Sequence, residues 1–290
     1  MLGIAYCMSE PKKAMNEIEN PDVDLELCIK MSKELRGRAE KMEKPEARLL
    51  VDAYYSMQKQ RIVFGNKVSA IERETDDGAE TVLRWLHGNM HALEKQAGAA
   101  LTRWSKKQPV CAWMMRHKGI GPVLSSGLYA HLDIERAPYA GCFWSFAGLN
   151  PTKTWDKGEK RPWNANLKTL CWKMGESFVK VSGYDDAFYG KVYLKRKEQE
   201  EQWNAEGRNK AAAEAGVKRV GKGTEAYKAY AQGILPAGHV HARAKRFAVK
   251  LFLSHLHAVW FEWHYKRPAP EPYAIAELGH EDWIKPPFGI

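Results

Sequence analysis

Residues 117–128 read His117-Lys118-Gly119-Ile120-Gly121-Pro122-Val123-Leu124-Ser125-Ser126-Gly127-Leu128. An apolar residue between two glycines, closed by proline and followed by a small, apolar helical run, is the pattern of a helix-hairpin-helix. The glycines let the chain reverse tightly and bring its backbone close to a ligand. Ile120 can plug the turn into a core, and Pro122 suits a first helical turn, where an N–H would be unpaired anyway. The open N–H groups at that helix start form an anion site. Val123, Leu124, Gly127 and Leu128 supply a packing face, and Arg116 and Lys118 add charge. Such a motif touches phosphates rather than base edges. Arg116, Lys118, Gly119, Ile120, Gly121 and Ser125 are therefore the first candidate DNA contacts. The competing reading is a tight helix–helix turn that holds no ligand.

On the N-terminal side, residues 1–44 are mixed and charged, with a short helix expected around 24–42. From Pro45 the residues Leu50, Tyr54, Met57, Arg61, Phe64, Val68 and Ile71 recur in steps of four and three, the seam of a long amphipathic helix. Asp76-Asp77-Gly78 makes a turn. A second seam follows at Leu83, Leu86, Met90, Leu93, Ala97, Ala100 and Trp104, and Pro109 closes it. Two helices of similar length joined by a short turn fold back antiparallel, so 45–108 is expected to be a coiled helical hairpin. Arg61 interrupts the first seam, and a charge there sets register more often than it meets a ligand.

On the C-terminal side, shorter helices are expected at roughly 110–117, 122–132, 138–147, 163–181 and 185–204, so that 109–204 forms a compact helical domain around the hairpin motif. A charged stretch, 205–232, leads to one long helix at about 239–265, together a basic helical region (205–267). The tail, 268–290, is Pro-rich and would pack through Tyr273, Trp283 and Phe288. The fold class is thus mainly α. On the last helix His239, Arg243, Arg246, Lys250, His257 and His264 share one stripe, opposite Val240, Ala244, Phe247, Leu251 and Ala258. Residues 226–261 contain no acid. Arg243, Arg246 and Lys250 are candidate phosphate contacts, the alternative being a solvated polar face. Most of the eleven tryptophans fall at helix-core spacing and read as packing.

The whole chain carries 45 Lys and Arg against 35 Asp and Glu over 290 residues, a formal charge of +10. An excess of that size favours a polyanionic partner, although a basic surface can also serve solubility alone. No apolar run approaches the ~18 residues of a membrane span, and Met1–Met8 lacks the charged start of a secretion signal. Cys7, Cys28, Cys111, Cys142 and Cys171 are odd in number and irregularly spaced, without a CxxC pair. They suggest neither a disulfide framework nor a zinc site, and a cytoplasmic location is expected. The pairs His239/His241 and His255/His257 are two residues apart, which on a helix points the rings apart. No metal and no cofactor is expected.

Residues 119–151, GIGPVLSSGLYAHLDIERAPYAGCFWSFAGLNP, resemble the C-terminal transposase domain of the insertion-sequence 110/116/902 recombinases, the bridge-RNA-guided group. The shared features are the GIGP hairpin, an acidic turn (Asp133, Glu135), an aromatic helix ending in Ala147-Gly148-Leu149-Asn150-Pro151, and a basic loop. Then comes a helix similar to the family's RGNxxLRxxL segment, at Arg161, Asn164, Asn166, Leu167 and Leu170. The resemblance covers 110–182, and the coiled hairpin is similar to the segment joining the family's two domains. It implies DNA recombination, with Lys157, Lys160 and Arg161 of the basic loop as further DNA contacts. Two departures stand out. The family's N-terminal RNase-H-like domain, with its metal-binding carboxylates, is expected to be absent. The loop 152–160 also holds no serine at the family's nucleophile position. Thr154 is the nearest hydroxyl, a weak catalytic candidate without an activating base.

These features lead to an expected DNA-binding protein of a mobile element or phage, contacting duplex or branched DNA, with RNA as a further partner class and self-association through the helical hairpin. The alternatives are an active transposase or recombinase, and a coiled-coil assembly protein.

Overall fold

A computed structural model describes residues 31–74, 81–156, 158–271 and 284–290. Among them the chain forms eleven helices and no strand. No helix among the described residues is long and apolar enough to cross a membrane. The mainly α class follows from the 3.6-residue patterning of nearly every segment.

The first helix, α1 (Lys33–Ala39), begins where the Ser32 hydroxyl accepts from the Leu35 N–H. It is shorter than the expected helix, of which residues 24–30 lie outside the described residues. Helices α2 (Lys44–Glu74) and α3 (Thr81–Lys106) form the long hairpin. Their pairing is antiparallel. Tyr54 packs on Gly98, Gln58 and Arg61 bond Glu94, Gly65 meets His87, and Glu72 pairs with Arg84. Each step along α2 is thus matched by a step back along α3. The turn Asp76-Asp77-Gly78 lies outside the described residues. Arg61 has the register-setting role: its Nε sits 2.5 Å from the buried Glu94 carboxylate, which also accepts from Gln58 at 3.0 Å. A charged pair inside an apolar seam penalises any slipped alignment, because slipping would strand both charges.

Helix α4 (Pro109–Met115) starts at the proline that closes α3, and α5 (Pro122–His131) follows the Gly-Ile-Gly turn. Gly127 and Ser126 make α5 thin. A Cβ on Gly127 would stand 2.8 Å from Leu170 and 3.3 Å from Val51, and the Ser126 hydroxyl bonds the Leu101 carbonyl. The base of the hairpin can therefore press directly onto α5 and, through it, onto α7. Helices α6 (Ala140–Phe146), α7 (Ala165–Lys180) and α8 (Phe188–Ala205) then wrap around the last long helix, which is α11 (Ala237–Tyr265). Within the charged 205–232 stretch the chain forms two short helices, α9 (Lys210–Val217) and α10 (Glu225–Ala231).

One core joins residues from the hairpin (Val51, Leu101), the middle helices (Leu128, Leu167, Phe178) and α11 (Phe252, Leu253, Trp260). Phe288 seals it. The Phe288 ring stacks on His117 with centroids 4.5 Å apart, and its carbonyl accepts from Trp113 Nε1 at 2.7 Å. Tyr273 and Trp283, the other expected anchors of the tail, lie outside the described residues.

Candidate nucleic-acid interface

The Gly119–Gly121 turn joins α4 to α5, and its two glycines have different tasks. Gly119 adopts φ +96°, a conformation strained for any side chain, and faces inward. Its carbonyl accepts from the Ser177 hydroxyl of α7 at 2.5 Å, and a Cβ there would lie 3.1 Å from that oxygen. Ile120 is buried, as a plug should be. Gly121 is exposed, N-caps α5 with nothing within 4 Å of a would-be Cβ, and leaves the Val123 and Leu124 N–H groups without intrahelical acceptors. Of the two glycines, only Gly121 thus lies beside open backbone donors.

The neighbouring candidates are mostly engaged. Arg116 donates to the Gly289 carbonyl at 3.1 Å with its guanidinium over Phe288 at 3.7 Å. Lys118 pairs with Asp186 at 3.0 Å and lies over Tyr184. Ser125 must be corrected outright: it is fully buried, and its hydroxyl donates back to the Pro122 carbonyl at 3.1 Å. It could reach a ligand only by unpacking α5.

The stripe on α11 also breaks up. Arg243 lies 2.8 Å from the Glu200 carboxylate, which is fully buried and held on its other side by Arg196 at 2.6 Å. His257, placed on the polar stripe by the helical wheel, is buried and bonded to the Ala137 carbonyl at 2.7 Å. A wheel assumes one buried side, whereas α11 is packed by α4, α6, α7 and α8 at once. Arg246 is exposed, and neither it nor Lys250 has a carboxylate within ion-pair distance among the described residues. Lys250 sits 4.2 Å over the Trp144 ring, whose N–H donates to the Lys250 carbonyl at 3.0 Å. Burial, and then Arg246, push the Lys250 pKa down, the condition of a cation short of an anion.

On and before α7 stand tryptophans that the sequence reading took as packing, together with the basic-loop candidates. The Asn164 side chain caps α7 by accepting from Leu167 at 2.9 Å. Leu167, Leu170, Met174 and Phe178 then turn inward, which leaves Lys168 and Trp172 facing out, the tryptophan 58% exposed. Gly175 lets α11 close in, since a Cβ there would be 2.7 Å from Lys245. Lys245 bonds Glu176 and reaches over Trp172 at 5.5 Å. Lys168 lies 4.3 Å over Trp163, and Arg161 lies 4.7 Å over Trp155. Lys160 is exposed, and Lys157 lies outside the described residues. Cation–indole pairs therefore recur along loop 150–164, α6, α7 and α11, at Arg161–Trp155, Lys168–Trp163, Lys245–Trp172 and Lys250–Trp144. The signal was in the sequence: residues 153–173 hold six Lys or Arg against two acids, interleaved with Trp155, Trp163 and Trp172.

The hairpin and the Lys168–Trp163 pair contact opposite ends of α7. From Lys168 to Ser177 is nine residues, or about 14 Å at ~1.5 Å per residue. Thr154 is exposed in the loop and makes no side-chain hydrogen bond among the described residues. No cluster of three His, Cys, Asp or Glu side chains among the described residues is placed to hold a metal ion. Comparison with protein-family models, with curated proteins and with solved structures gives no match to this chain.

Proposed function

We propose that this chain binds nucleic acid, DNA above all, through the cation–indole face of the 150–164 loop, α6, α7 and α11, with the α5 N-terminus at Gly121 as a second phosphate contact. The observation that carries this reading is the exposed Trp172 ring, with Lys245 over it at 5.5 Å, together with the Lys168–Trp163 and Lys250–Trp144 pairs, whose cations have no carboxylate within ion-pair distance among the described residues. Cations placed over indoles track a phosphate backbone, and an exposed indole stacks an unpaired base whatever its identity. Substrates that combine duplex with unpaired bases, such as branched or partly single-stranded DNA, suit this combination best. Neither the face nor the Gly121 site depends on the recombinase resemblance.

The test is fluorescence anisotropy with duplex, single-stranded and four-way DNA at several salt concentrations. Replacing Arg161, Arg246 and Lys250 with Gln should flatten the log affinity–log salt slope by roughly two to three, at ~0.7–0.9 per phosphate contact. Trp172→Ala should weaken single-strand binding by about 1–3 kcal/mol while barely changing binding to duplex. An unaltered salt slope in the triple variant would refute the assignment.

A second reading, assembly through the hairpin, is favoured by Ile62, Val63 and Val82, which stay exposed on α2 and α3. Sedimentation velocity over a wide concentration range tests it, with Ile62→Lys expected to leave only monomer.

A further inference from the structure

Where the first turns of α2, the end of α5 and helix α6 meet, they enclose a cavity of about 460 Å³, within the ~300–1,000 Å³ typical of small-molecule sites. One wall is apolar and aromatic, formed by Phe143 and by Phe146, whose ring is 44% exposed. Arg48 and Arg136 also line the cavity. Neither has a carboxylate within ion-pair distance among the described residues. Asp133 and Glu135 line the cavity as well, Asp133 accepting from the Glu135 N–H at 3.1 Å and Glu135 lying 3.6 Å from His264.

His131 lines the cavity too. It is only 9% exposed, yet neither ring nitrogen has a hydrogen-bond partner. The other buried or half-buried imidazoles of α11 solve this problem inside the fold. His255 bonds Tyr189 and the Ile284 carbonyl, His257 bonds the Ala137 carbonyl, and His239 and His241 each bond a tyrosine hydroxyl. Leaving both nitrogens of a buried ring unpaired is costly, and polar groups so placed call for a partner. Burial holds the His131 pKa down, with Arg48 adding to that and Asp52 opposing it, so the neutral ring offers one donor and one acceptor.

We infer that this cavity is a binding site for a nucleoside monophosphate unit, either free or at the end of a strand. Arg48 and Arg136 would hold the phosphate, for which paired guanidiniums are the best-matched side chains. The base would lie against Phe146, with one His131 ring nitrogen meeting a polar group on its edge. Lys44 closes the floor, with its ammonium bonded to the Leu132 carbonyl at 3.1 Å and held over Tyr129 at 4.4 Å. The site lies on the opposite side of α6 from Trp144 and Lys250, so a strand on the cation–indole face could deliver its end there. The free-nucleotide form of the inference stands without that face.

The test is calorimetric titration of the full chain with AMP, TMP, inorganic phosphate, and short single strands with and without a 5′-phosphate. Wild type should bind a nucleoside monophosphate, or a 5′-phosphorylated strand over its unphosphorylated form, more tightly than inorganic phosphate. Arg48→Gln and His131→Ala should each weaken that binding by roughly tenfold or more, as expected when a charge-assisted or buried hydrogen bond is lost. Because His131→Ala could perturb folding, the wild-type His131 ring proton is also followed by NMR and should shift on saturation with ligand. Trp172→Ala should leave binding of the free nucleotide unchanged, which separates failure of the strand-binding face from failure of this site. The inference is overturned if no nucleotide binds, if inorganic phosphate binds as tightly, if the ring proton does not move, or if both variants bind as wild type does.

Discussion

Acid should unfold this protein through two buried imidazoles, and the slope of that loss can be worked out. His117 is stacked on Phe288 and ringed edge-on by Trp113 and Tyr189, with Nε2 unpaired. Burial lowers its pKa to about 4, helped by the nearby His255 and Arg116. His255 donates from Nε2 to the Ile284 carbonyl at 2.7 Å, so its Nδ1 must accept from the Tyr189 hydroxyl at 2.8 Å. A proton on Nδ1 would break that arrangement. Burial lowers this pKa to about 4 as well, against the opposing pull of the Ile284 carbonyl. Both folded-state values lie below the ordinary ~6.5 of an unfolded histidine. The stability these rings preserve is therefore complete above about pH 6.5 and is lost as pH falls toward 4. Within that window these two rings bind up to two more protons in the unfolded chain than in the folded one. At about 1.4 kcal/mol per proton and pH unit, the slope is up to about 2.7 kcal/mol per pH unit. Integrated from about pH 6.5 to about pH 4 this is up to about 7 kcal/mol, the same order as a typical domain stability of ~5–15 kcal/mol. The assay is urea denaturation followed by far-UV circular dichroism from about pH 7 to about pH 4.5, for wild type and His117→Phe. Carboxylate titrations common to both cancel in the difference. The variant should be shallower by about 1.4 kcal/mol per pH unit, and parallel curves would refute the argument.

Other variants probe the packing. Glu200→Gln leaves Arg196 and Arg243 facing each other without a counter-charge on a buried site, and should lower the stability in urea by about 3 kcal/mol; an unchanged midpoint would mean that the carboxylate is dispensable. Gly119→Ala meets both a positive φ and the Ser177 oxygen, and should cost ~1–3 kcal/mol. Gly121→Ala faces open space at an extended φ of −95°, so only the weaker N-cap preference applies, at most ~1 kcal/mol. Equal melting temperatures for the two glycine variants would contradict the division of labour between them.

What the amino-acid sequence determined by itself was whatever depends on neighbours in the chain. The two heptad-like seams and the proline at 109 specified the long hairpin, because helical periodicity is a local property. Pro122 and the flanking glycines likewise specified where α5 begins, and Ile120 as its plug. Only tertiary structure decided which charges remain available. Arg243 and Lys118 looked free because the acids that engage them, Glu200 and Asp186, lie on other segments. His257 and Ser125 looked polar and reachable, yet packing surrounds both. The indoles of 155–172 were visible as letters, but outward and inward tryptophans are spelled alike until α11 fills one side of α7. The His131 cavity belongs to no segment at all. Its arginines, imidazole and aromatic wall come from α2, the end of α5, the α5–α6 connection and α6, and their meeting depends on the small residues of α5 that let the hairpin base press close. A pattern in one dimension encodes which face of a helix is apolar; which neighbour covers that face is a property of the packed chain.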